Sequence, residues 1–102
     1  MKLLQSEIKT FIKERDWQKF HSPKNLAMAL SVEASELVEI FQWLTPAQSS
    51  KLSHQQVEHL EEEIGDIMIY LTTLATSYGL DPLTAARKKL EKNRIKYPAP
   101  NQ

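Results

Sequence analysis

The residues best suited to chemistry are carboxylates: Glu33, Glu36 and Glu39 in the stretch VEASELVEIF, and Glu63 and Asp66 in EEIGDIMIYL. At about 100° per residue, Leu26, Leu30, Leu37, Ile40 and Leu44 fall within roughly 60° of Glu33, which therefore stands in the middle of an apolar stripe. Glu36 lies about 60° to one side, at the edge of that stripe, while Glu39, about 120° away, faces water. A wheel centred on Glu63 places Leu60, Ile67, Tyr70, Leu71 and Leu74 within about 80° of it, and Asp66 about 60° to one side. Two helices thus carry one device, Glu-x-x-Glu and Glu-x-x-Asp, on faces that should be buried. Gly65, between the second pair, offers room for another backbone or a ligand.

Buried carboxylates are disfavoured, and four together repel unless some hold protons or a cation sits among them. A divalent cation accounts for all four at once. Short, anionic, all-oxygen ligands select a hard ion, Mg²⁺ or as a substitute Mn²⁺, over zinc or copper. A di-iron bundle needs Glu-x-x-His on two helices, and no histidine here lies three residues after a glutamate. The competing account is a solvated face with scattered ion pairs, the ordinary meaning of a single Glu-x-x-Glu. Two such pairs on inward faces favour the metal.

Helices must position these acids. The first is expected from Lys2 to about Trp17, with Leu4, Ile8, Phe11 and Ile12 at helical spacing. After a break at QKFHSP, Ser22 caps and Pro23 opens a long helix reaching about Leu44. Ser53 with Gln56 forms a capping box for a third long helix, which Gly79 closes. Asp81 and Pro82 restart the chain for a last helix to about Lys96, where Pro98 and Pro100 stop it. The expected architecture is an all-α four-helix bundle formed by a single domain over residues 1–97, followed by a short tail, 98–102.

Composition agrees. Two glycines are few for a β or phosphate-loop fold. Thirteen basic and thirteen acidic residues cancel, so no overall field draws the chain to nucleic acid or a membrane. Without cysteine there is no disulfide, thiol nucleophile or cysteine-type metal site. The N-terminus lacks an apolar signal core and the longest apolar run, Ile67 to Leu71, is too short to span a bilayer, so a cytoplasmic protein is expected.

Three segments carry a family resemblance: RDWQKFHSPKNLAMALSVEASELVEIFQW at 15–43, EEIGDIMIYL at 62–71 and KLEKNRIKYP at 89–98. Together they cover about half the chain. They resemble the MazG-like all-α nucleoside triphosphate pyrophosphohydrolases, with the dCTP pyrophosphatase branch the most similar. The resemblance implies Mg²⁺-dependent cleavage of a nucleoside triphosphate between the α and β phosphates, for house-cleaning of the nucleotide pool, in a homodimer or homotetramer. It implies Glu33, Glu36, Glu63 and Asp66 as catalytic metal ligands, and Lys89 and Asn93 as triphosphate contacts, with Arg94 a weaker phosphate candidate. His21 and Trp43 match the base pocket, with Trp17 and Phe20 beside them in sequence; stacking holds a base, and polar edge groups choose it. His54 and His59 are read as surface residues. LTPAQSSKLSHQQ lies outside the resemblance and is expected to be a loop that covers the site or sets substrate choice.

Two alternatives stand beside a substrate of dCTP or a modified cytosine nucleotide. One keeps the chemistry but takes dUTP, phosphoribosyl-ATP or a broad set of triphosphates. The other is a non-enzymatic helical module that oligomerises and binds nucleotide, in which the acids pair with Lys and Arg of neighbouring helices.

Overall fold

The computed structural model describes residues 1–100, and the described residues are helical without strands. The elements are α1 (Lys2–Glu14), a single 3₁₀ turn (Gln18–Phe20), α2 (Pro23–Phe41), α3 (Pro46–Ser49), α4 (His54–Ser77) and α5 (Pro82–Lys96). The four long helices are those expected; α3 is additional.

Local chemistry sets each boundary. The α1 helix stops three residues short of Trp17 because Asp16 turns left-handed at φ 57°, a conformation Asp tolerates better than most residues. Ser22 Oγ accepts the amide of Asn25 at 3.1 Å, and Pro23 follows in the first turn, so α2 begins as its sequence requires. Two capping boxes, Thr45 with Gln48 and Ser53 with Gln56, start α3 and α4. The segment expected to be loop is therefore largely ordered by its own caps. Gly79, at φ +66°, ends α4 in the left-handed conformation that suits glycine. Asp81 Oδ1 accepts the amides of Leu83 and Thr84 at 2.8 and 3.2 Å to start α5.

The centre of the fold is the pair α2 and α4. Leu26 and Thr73 line one cavity, whereas Glu33 lies beside Glu63, so neighbours on α4 step backward as α2 advances and the two helices are antiparallel. The α1 helix packs on α4, and Gln5 ties it there by donating to Thr76 Oγ1 and the Leu80 carbonyl, each at 3.1 Å. Ile8, Ile12, Leu26 and the fully enclosed Thr72 form a small core. Leu4 and Phe11, expected beside the two isoleucines, remain exposed, as does Leu71.

The last helix is loosely packed. It touches the rest of the chain sparsely, through α4, and Ala86, Leu90 and Tyr97 are exposed while Asn93 alone of that row is half-buried. Helical spacing puts these residues on one face but does not supply a surface for the face to meet. The helix ends at Lys96 as expected; of the proposed tail, residues 98–100 are non-helical, and 101 and 102 lie outside the described residues. Among the described residues no helix is long and apolar enough to cross a membrane.

Candidate metal centre

Pairing α2 against α4 brings Glu33, Glu36 and Glu63 together, with one carboxylate oxygen from each within 4.8 Å of the others. Glu63 is buried; Glu33 and Glu36 are half-buried. Asp66 is exposed and falls outside this three-oxygen group, yet its charge acts on Glu33. Glu39 is exposed, as the helical wheel requires.

Burial, more than any other influence, raises Glu33 from the ordinary 4.5 to about 7. Hydrogen bonding with Glu36, the charges of Glu36 and Asp66, and hydrogen bonding with Glu63 push the same way. Among the described residues, no Lys or Arg forms an ion pair with any of the four acids. Buried oxygens of Glu33 and Glu63, the Oε2 atoms, have no hydrogen-bond partner. With both carboxylates ionised no donor lies between them, so either a proton on Glu33 or a cation must fill the gap.

These features test whether a metal fits. Three converging carboxylates and two orphaned buried oxygens, with no sulfur and no Lys or Arg paired to them, suit a hard divalent ion. Gly65 is not needed for close approach within this chain, because a Cβ there would meet nothing within 4 Å.

His59, read from sequence as a surface residue, is exposed but approaches Glu63: its Nε2 lies 3.3 Å from Oε1 of that carboxylate. The spacing of four residues on α4 was the available signal.

The other expected site residues are scattered. His21 is half-buried, its Nδ1 enclosed without a partner, on a cavity of about 420 Å³ shared with Ile8, Ile12, Gln18, Leu26 and Thr73. Trp17 is exposed and stacks edge-on against Phe11, with centroids 5.6 Å apart. Phe20 is exposed beside the Lys19 ammonium. Trp43 is 87% exposed, beyond the far end of α2 from His21. A helix of 19 residues spans about 28 Å, so one base cannot touch His21 and Trp43 of the same chain. Lys89 is exposed and Asn93 half-buried, and neither side chain makes a hydrogen bond or ion pair among the described residues. Arg94 donates to Glu91 at 2.6 Å.

Comparison with known proteins adds to this geometry. dCTP pyrophosphatase 1 of Rattus norvegicus is 42% identical over 90 residues, which cover 86% of this chain and 53% of that protein. The Homo sapiens protein of that name is 42% identical over 91 residues, covering 87% and 54%. The chain thus spans about half the length of these curated relatives. A crystal structure of a pyrophosphatase from Archaeoglobus fulgidus superposes with a TM-score of 0.90 at 39% identity, covering 97% of this chain and 93% of that one. The model of the MazG-like family matches residues 28–102, a span that contains both acidic pairs and the whole of α4, and on that match this chain belongs to the MazG-like family.

Proposed function

We propose that this chain is a Mg²⁺-dependent nucleoside triphosphate pyrophosphohydrolase, with dCTP or a modified cytosine nucleotide as substrate. One observation carries this: three carboxylates converge on the buried side of two helices with no Lys or Arg beside them. Pairing with Lys or Arg, which the non-enzymatic module requires, is missing there among the described residues. The names of the relatives support the substrate class.

Glu33, Glu36 and Glu63 would hold the ion, and Asp66 joins them because its charge already acts on Glu33. A bound divalent cation supplies positive charge that neutralises the phosphate oxygens as negative charge develops. One carboxylate of the set orients the attacking water and accepts its proton. Water adds at phosphorus, the α–β bridging bond breaks, and the products are the monophosphate and pyrophosphate. Lys89 and Asn93 bind the triphosphate, and Arg94 can do so once it leaves Glu91. His21 lies at the base end, where its enclosed Nδ1 can meet a polar base edge. Trp17 and Phe20, on the same α1–α2 connection, supply aromatic surface. Because α2 separates Trp43 from His21, Trp43 reaches a base pocket only from a second copy of the chain, which supports a homodimer or homotetramer.

The test is pyrophosphate release from each common NTP and dNTP, with Mg²⁺ and with EDTA. EDTA-sensitive release, greatest with dCTP, is expected. Release dominated by dUTP or spread evenly over the panel would replace the substrate and keep the chemistry. No release from folded protein, together with no change in melting on adding Mg²⁺ and nucleotide, would overturn the enzymatic reading.

A further inference from the structure

The three histidines divide by what they touch. His54 lies 3.0 Å from Glu58 in the same i,i+4 relation that joins His59 to Glu63, but both members of that pair are open to water. Such a pair contributes little. His59 differs because its partner is buried. The Glu63 side chain is 9% exposed, one of its oxygens lies 3.3 Å from His59 Nε2, and the other is enclosed without a donor. The same carboxylate belongs to the three-oxygen cluster with Glu33 and Glu36.

We propose that His59 is a positioning residue for the metal centre. Its Nε2–H engages Glu63 Oε1 and fixes the rotation of the carboxylate, leaving the enclosed Oε2 as the oxygen available to the cluster. Carboxylates that bind metal are commonly oriented by a donor on the oxygen that faces away from the ion, and removing that donor costs roughly 10–100-fold in metal affinity. Without His59, Glu63 must lose torsional freedom when it binds, and the site is less preorganised. The neutral imidazole suffices, because the adjacent carboxylate selects the tautomer with hydrogen on Nε2. No change of charge on His59 is needed. His59 touches neither substrate nor metal; it acts through Glu63.

The inference rests on Glu63 being a metal ligand, so the experiment separates the two claims. Mn²⁺ binding to the full chain is measured at pH 8, where an ordinary histidine is neutral. Free Mn²⁺ is counted by electron paramagnetic resonance for wild type, Glu63→Gln, His59→Ala and His59→Gln. Glu63→Gln is expected to lose the site. His59→Ala should weaken it about ten-fold, and His59→Gln, which keeps an N–H donor, should recover most of that loss. Melting temperatures in EDTA should match wild type for both His59 variants, since the side chain is 57% exposed. Wild-type affinity in His59→Ala, or equal weakening in the Ala and Gln variants, would overturn the positioning role while leaving the metal site standing. Failure of wild type to bind Mn²⁺, or unchanged binding in Glu63→Gln, would overturn the metal site and this inference with it.

Discussion

At the scale of single residues, the proposed function makes the acids the determinants of both activity and pH response. Glu36→Gln and Asp66→Asn are each expected to abolish pyrophosphate release while leaving the helical circular dichroism intact; full activity in both would refute the ligand assignment. Glu33 provides an independent check. It holds its proton more tightly in the folded chain, near pH 7, than in the unfolded one, near 4.5. The stability this confers is present below about pH 4.5 and is lost as pH rises through about 7. In EDTA, wild type should therefore lose stability relative to Glu33→Gln over that interval, measured by paired thermal melts. Mg²⁺ added at pH 8 should restore wild type and not the variant, because the ion replaces the proton as the source of positive charge. A stability difference that stays flat with pH would refute the coupling. Glu33 was legible as a misplaced acid from helical phase alone. Its shifted proton affinity was not, because it depends first on burial by the packed helices and then on the neighbouring acids Glu36, Asp66 and Glu63.

At the scale of elements, side-chain caps determine where helices begin. Ser53 accepts the Gln56 amide at 3.1 Å while Gln56 returns a carbonyl oxygen to the Ser53 amide at 2.8 Å. Ser53→Ala should cost about 1 kcal/mol in chemical denaturation. Gly79→Ala should cost about 1–2 kcal/mol, since alanine must enter the left-handed region at φ +66°. Both motifs were visible in sequence because each is local. The α3 helix was not anticipated because four residues carry no periodicity, although Thr45 and Gln48 have the same spacing as Ser53 and Gln56. The early end of α1 was equally hidden. Nothing in the apolar pattern marks Asp16 as the residue that reverses φ.

At the scale of the whole molecule, the isolated chain is loose. Its radius of gyration is 16.8 Å, against about 13 Å for a compact domain of about 100 residues. Trp43, Ile95 and Leu3 are 87%, 79% and 75% exposed, and α5 leaves Leu83, Leu90 and Tyr97 uncovered. Contiguous apolar surface marks an interaction surface, and the proposed assembly would cover these side chains. A second copy is the partner favoured here, and light scattering is expected to give twice or four times the chain mass. A monomer at micromolar concentration would contradict this. Trp43→Ala should weaken substrate binding, raising KM more than it lowers kcat, if a partner's Trp43 stacks on the base; unchanged KM would remove Trp43 from the pocket.

The all-α class, four long helices and two misplaced acidic pairs were determined by the sequence alone. Composition, caps and a period of 3.6 residues act within a few turns of chain and need no distant partner. Only the tertiary structure decided that Glu33, Glu36 and Glu63 converge while Asp66 stays at the margin. That outcome depends on the antiparallel register of α2 on α4. Register is set by packing between helices, and a helical wheel carries no information about it.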